Sequence, residues 1–241
     1  MRRLPIFLVF CPSLLFAQTP ITTQTTTSIV SQAIAAFSST PVSQVQLSGT
    51  AKAYAGSSQP IGTFTATLKS TGESTLQLNL SGVSRAETVG SFGDANGCSW
   101  IDADGVVNSV PIHNCLRSLD WILPVLSLQS HSSVLSLQIP AATTGVQLQV
   151  AQAAPQQGSA QAKTLMQKES TVVLTLDANT NLPSQLSFNI HPDDDAFRDI
   201  PVLVRYSDYR QQSGTTIPFH IQKYVNNSLV LDLTVGSANL Q

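Results

Sequence analysis

The stretch from Ile200 to Gly236 constrains this chain more than any other. Apolar side chains recur at every second position in three successive runs: Val202/Val204/Tyr206, Ile217/Phe219/Ile221 and Leu229/Leu231/Leu233/Val235. A period of two puts each set on one face of a pleated strand. The joints carry turn chemistry, Gln212-Ser213-Gly214 and then Asn226-Asn227. The stretch therefore predicts a three-stranded antiparallel meander with one apolar face, and that face needs a cover.

Most of what precedes it reads as more sheet, plus helices. Ser28 is placed to cap a helix whose apolar stripe is Ile29, Val30, Ala33, Ile34 and Phe37, ending at Ser38 to Pro41. Strands are expected over 45–54, with Gly49 at a bend or bulge, then over 62–69, 74–81 and 85–90. In the third, Leu76, Leu78 and Leu80 alternate against Thr75, Gln77 and Asn79. Asp104-Gly105 marks the tip of a hairpin containing Trp100. From Asn114 to Gln129 the period changes: Leu116, Leu119, Ile122, Leu123 and Leu126 predict a short helix broken or ended near Pro124. A strand pair is expected over 134–139 and 146–151, a flexible loop over 153–162, a long strand over 165–176 and another over 186–190. The acidic segment from Asp193 to Asp199 reads as a loop. No internal repeat longer than a hairpin stands out, and residues 28–241 are expected to form a single domain.

The N-terminus bears on compartment. Arg2 and Arg3 precede an apolar run, Leu4 to Phe16, and Ala17 offers a cleavage point, so residues 1–17 read as a signal peptide. The run is too short to span a bilayer and contains Pro5 and Pro12. Cys11 invites a lipid-attachment reading, but Phe10 stands where a small residue is required. Residues 18–27 are Thr-rich and expected to be a disordered lead-in. After cleavage two cysteines remain, Cys98 and Cys115, and an even pair in an exported chain predicts a disulfide. Charged residues make up only 11% of the chain and the net charge is −2, which argues against a nucleic-acid partner.

Late in the chain stand Asp177-x-x-Thr180-x-Leu182-Pro183, then Tyr206-Ser207-Asp208-Tyr209-Arg210, then Gly214, Ile217-Pro218-Phe219 and a strand after Asn227. These motifs, with the order of elements, resemble the LolA family of periplasmic lipoprotein carriers and its relatives. They are structural rather than catalytic, and they concentrate in the last sixty or so residues. The resemblance implies a mainly β (α+β) fold: an unclosed, curved antiparallel half-barrel. Its concave apolar face would be covered by the N-terminal helix and the mid-chain helix. It also implies a lipid or acyl chain lying between sheet and helices. Phe64, Leu76, Leu78, Leu80, Ile217 and Phe219 are the candidates to line such a slot, or to pack beneath the helices. The chain departs from a plain carrier in its cysteine pair, its Thr-rich lead-in and its extra length around residues 130–165.

Catalytic signatures are missing. The sequence has no G-x-S-x-G, S-x-x-K or H-E-x-x-H. The histidines His113, His131, His191 and His220 are scattered, and no nucleophile–base pair can be named. A zinc set of His113, Cys98 and Cys115 competes poorly with a disulfide. Asp102-x-Asp104-Gly105 lacks the remaining ligands of a calcium loop, and Asp193-Asp194-Asp195 is the sort of run that stays solvated. No catalytic residue, metal or cofactor is expected. Trp100 and Trp121 are expected in the core, although either could stack on a ligand. The function expected is a periplasmic or secreted carrier of a lipid-like or acyl ligand. The alternative is a non-catalytic module gripping a partner protein of the cell envelope. A transmembrane barrel is disfavoured by the amphipathic helix and by 6% aromatics, too few for girdles.

Overall fold

The computed structural model describes residues 25–90, 97–140, 145–152 and 159–241. The expected signal peptide, Cys11 and most of the lead-in lie outside the described residues. Among the described residues thirteen antiparallel strands form one sheet. They are β1 (Gln44–Ala53), β2 (Ile61–Lys69), β3 (Ser74–Leu80), β4 (Val83–Val89), β5 (Ser99–Asp102), β6 (Val107–Ser109), β7 (Leu135–Gln138), β8 (Val146–Gln152), β9 (Val172–Leu176), β10 (Pro183–Ile190), β11 (Ile200–Gln212), β12 (Thr215–Val225) and β13 (Ser228–Leu240). Their spatial order is β6-β5-β4-β3-β2-β1-β13-β12-β11-β10-β9-β8-β7. Apart from β6 and β7, consecutive strands pair with one another, and one seam between β1 and β13 joins two meandering arms. β6 and β7 are the free edges, so the sheet does not close into a barrel.

The three-strand meander forms as its alternation requires. Ser213 and Gly214 both have positive φ at the β11–β12 turn, as do Asn226 and Asn227 at the β12–β13 turn. These are the two-residue turns whose twist matches the strands. At Gly49 the β1–β13 register shifts by a bulge. A Cβ there would lie 2.0 Å from the Thr234 carbonyl oxygen, so only glycine admits the approach.

Among the described residues four helices accompany the sheet: α1 (Thr26–Phe37), α2 (Ile112–Cys115), α3 (Pro124–His131) and α4 (Ala160–Ser170). The first begins earlier than the sequence suggests. Thr25 is its N-cap, and Ser28 sits at the third helical position, its hydroxyl returning to the Thr25 amide in a capping box. Residues 25–27 therefore belong to the helix end rather than to a disordered lead-in. Pro124 opens α3 instead of ending a helix; at the first position its missing N–H costs nothing. The expected long strand over 165–176 is also wrong. Residues 160–170 are α4, capped by Ser159, and only Val172–Leu176 is strand. Lys163, Leu165, Met166, Gln167 and Lys168 are good helix formers without strand alternation.

Ile29, Val30, Ala33 and Phe37 of α1 and Val125, Leu126 and Leu128 of α3 are buried in one continuous cluster. They share it with Val45, Leu47, Phe64, Leu186, Val204, Ile217 and Leu233 from the concave face. α1 packs on α3 and β12, and α3 reaches β2 and β10. No described helix is long and apolar enough to cross a membrane.

Candidate functional site

The concave face is apolar in its middle and charged at one end. Phe64, Leu76, Leu78, Ile217 and Phe219 are all buried in the cluster beneath the helices, and Leu80 packs on its margin. They share one face, as the alternation requires. Beside them, where α1 and the start of α3 meet β11 and β12, the gap between Phe37, Leu123, Tyr206 and Tyr209 amounts to about 10 Å³. The roof is fastened to the sheet at buried hydrogen bonds: the Tyr206 hydroxyl donates to the carbonyl of Trp121, in the segment leading into α3, at 2.7 Å, and the hydroxyls of Ser38, at the end of α1, and Thr215 of β12 meet at 2.9 Å. Burial pushes the Tyr206 phenol well above its usual range, with the nearby Tyr209 and Asp120 adding to the effect.

Register carries the concave face onward into charge. Leu78 pairs with Arg85, and Leu76 with Glu87. Across the next ladder Arg85 faces Asp102 and Glu87 faces Trp100. From the other arm, Lys223 pairs with Val204 and Leu231, so it continues the row Ile217, Phe219, Ile221. Arg117 comes from the irregular segment between α2 and α3. Arg85, Glu87, Trp100, Arg117 and Lys223 all line one cavity of about 280 Å³.

The charges there are unequally served. Arg85 donates to Glu87 at 3.0 Å, lies 3.7 Å from Asp102 and stacks over Trp100 at 4.2 Å. Arg117 lies over the Phe188 ring at 5.2 Å, and Lys223 lies over the Trp121 ring at 4.5 Å. Among the described residues, neither Arg117 nor Lys223 has a hydrogen-bond acceptor for its side chain or a carboxylate within 4.0 Å. Burial lowers the pKa of both; Glu87 and Asp120 oppose that shift from a distance. Burial also pushes Glu87 upward, but Lys223, Arg85 and Arg117 together hold it below its ordinary value.

Sequence reasoning passed over this cluster, although its signal was present. Lys223 keeps the phase of the apolar row in β12, and a lysine at a core-facing position calls for an explanation. Trp121 is buried as expected, whereas Trp100 is half-exposed at the cavity wall.

A second cluster holds the side of the molecule. His191 is buried between two carboxylates, with Nε2 3.0 Å from Asp199 and Nδ1 3.1 Å from Glu169, though the latter contact is off the hydrogen-bonding direction. Lys168 bridges Asp199 at 3.2 Å and approaches Glu169 at 3.6 Å. Hydrogen bonds from His191 and Lys168 hold the Asp199 carboxyl below its usual range. Asn114 clamps the His191 backbone from both sides. A buried His–Asp contact is the feature that would suggest catalysis. Here both ring nitrogens face carboxylates, and among the described residues no hydroxyl or thiol is bonded to the ring. The cluster pins the 191–199 loop to α4 and α2.

Cys98 and Cys115 form a disulfide, with Cα atoms 5.8 Å apart. It ties the start of β5 to the end of α2. No group of three or more His, Cys, Asp or Glu side chains suited to a metal occurs among the described residues. Asp193, Asp194 and Asp195 are exposed, and His220 lies away from Phe219, bonded to Ser207 and Asp232.

Among solved structures, the chain is similar to a LolA superfamily protein from Nitrosomonas europaea. The TM-score is 0.54 at 12% identity, over 90% of this chain and 94% of that one. The fold is LolA-like. A DUF1329 family protein from Desulfovibrio piger matches with the same TM-score at 8% identity, over 90% of this chain and 93% of that one. No family model matches the sequence, and no curated protein matches it. At such identities the LolA-like likeness is one of architecture: an open curved sheet with helices on its concave face.

Proposed function

We propose that this protein is an exported carrier that holds an acyl chain between its concave sheet and the α1–α3 roof. One observation carries the reading: the apolar face of an unclosed sheet is covered by two short helices that are not strands of it. The ligand-lining residues in this reading are Phe64, Leu76, Leu78, Leu80, Ile217 and Phe219. They belong to, or pack against, the buried cluster that α1 and α3 share, so loading means displacing the roof. Displacing α1 alone would expose Ile29, Val30 and Phe37, at a cost of roughly 4.5–9 kcal/mol from about 1.5–3 kcal/mol per side chain. Burying ten ligand methylenes at about 0.8 kcal/mol each would return a similar amount. The LolA-like architecture supports a binding role without catalysis. The disulfide supports an oxidising compartment, periplasmic or extracellular, reached through removal of residues 1–17.

Native mass spectrometry and lipid extraction of protein purified from the envelope of its host test this reading. A bound species carrying an acyl chain is expected. Protein that is ligand-free, and that stays so after incubation with fatty acids and phospholipids, would overturn it.

A second reading, an envelope interaction module, is favoured by the edge hairpin. Val106 and Val107 are 55% and 63% exposed at the free edge of the sheet. A pull-down that recovers one envelope protein and no lipid would favour it over the carrier.

A further inference from the structure

We propose that the cavity at the charged end of the hollow binds the oxyanion of the ligand, a carboxylate or phosphate, through Arg117 and Lys223. The proposal rests on the carrier reading and deepens it.

The two cations come from different parts of the fold. Lys223 reaches the hollow from β12 of one arm; Arg117 reaches it from the segment that links α2 to α3. Each is set over an aromatic face, Trp121 or Phe188, which steers the charge but leaves its N–H donors free. Both side chains are half-buried, and a charge partly withdrawn from water without a partner costs stability; replacing such groups by apolar ones often stabilises a fold. Two of them facing the same space are therefore poor structural elements and good anion ligands. Arg85 does not share this role, because Glu87 and Asp102 already occupy it. Glu87 is an internal competitor, its carboxylate standing among the three cations, and Asp193 also lines the cavity.

The dimensions agree. A cavity of about 280 Å³ has room for a headgroup and its first carbons. The apolar face begins one ladder away, where Leu76 and Leu78 stand opposite Glu87 and Arg85. A chain anchored by its oxyanion at Arg117 and Lys223 would therefore run directly under the roof.

Both tryptophans of the protein lie against cavity cations, so their fluorescence reports on this site. The experiment titrates the full mature chain with dodecanoate, with dodecanol, and with inorganic phosphate. It is repeated for Lys223→Met, Arg117→Met and Glu87→Gln. Wild type should prefer dodecanoate over dodecanol by about tenfold or more, the worth of charge-assisted hydrogen bonds. Each methionine variant should melt no lower than wild type and bring that preference to within about twofold. Glu87→Gln should strengthen dodecanoate binding, a gain that misfolding cannot imitate.

Equal binding of acid and alcohol by wild type would overturn the anion site while leaving the carrier reading intact. So would methionine variants that stay folded and keep the preference. Binding of inorganic phosphate with neither dodecyl compound would support the oxyanion site and overturn the carrier reading. No response to any of the three would overturn both.

Discussion

Removing one hydroxyl should loosen the roof measurably. Tyr206→Phe deletes the bond from the phenol to the Trp121 carbonyl and strands that carbonyl in a buried site. The ring itself remains packed among its neighbours, so the loss is almost wholly polar. A buried group left unsatisfied costs about 1–3 kcal/mol. For a chain of this size each kcal/mol moves Tm by about 2–4 °C, giving a fall of about 2–12 °C. Urea denaturation should show a lower midpoint with unchanged slope, since the exposed surface on unfolding is the same. The alkaline limb offers an independent check. Folding raises the Tyr206 pKa above its unfolded value, so its contribution is complete below about pH 10 and is lost as pH climbs toward the folded value. Stability of wild type should therefore drop above pH 10, and Tyr206→Phe should drop less steeply. A variant as stable as wild type at pH 7, with the same alkaline slope, would refute the claim that this bond fastens the roof.

Three further outcomes follow from the same geometry. His191→Leu should destabilise by about 3–5 kcal/mol in urea, because it leaves the Glu169 carboxylate buried without its imidazole; adding Glu169→Gln should recover much of that loss. Asp199→Asn should flatten the acid limb: the wild-type carboxyl is held low, so its stabilising effect is present above the ordinary carboxylate range and is lost as pH falls through its folded pKa. Reducing the Cys98–Cys115 bridge, or replacing both cysteines by serine, should cost about 3 kcal/mol of unfolding free energy and free α2 from β5.

The strands were legible because a half-buried sheet writes its period directly into the chain. Leu76, Leu78 and Leu80, and the row from Ile217 to Ile221, fall on the expected face, and the Asn226-Asn227 turn has the backbone it needs. The helices were harder. At Pro124 the same residue can end one helix or begin another, and only the surrounding chain direction decides. Over 160–170 the apolar content is low and the segment lies mostly at the surface, so no stripe announces a helix. The charged end of the hollow was illegible for a different reason. Arg85, Arg117 and Lys223 are far apart in sequence, and their meeting depends on how strongly the two arms curve toward each other. Phase alone could place Lys223 on the inner face; it could not supply its neighbours.

The seam between β1 and β13 governs how such a molecule can assemble. Ser48 and Ser237 share a hydrogen bond although 189 positions separate them, whereas other strands pair with partners already adjacent in the chain. Each arm can therefore zip up locally and early. Joining them waits for the last strand to emerge, because long loop closure opposes contacts between distant segments. Until then β1 presents an unpaired, apolar edge, which is the hazard that holding chaperones exist to shield.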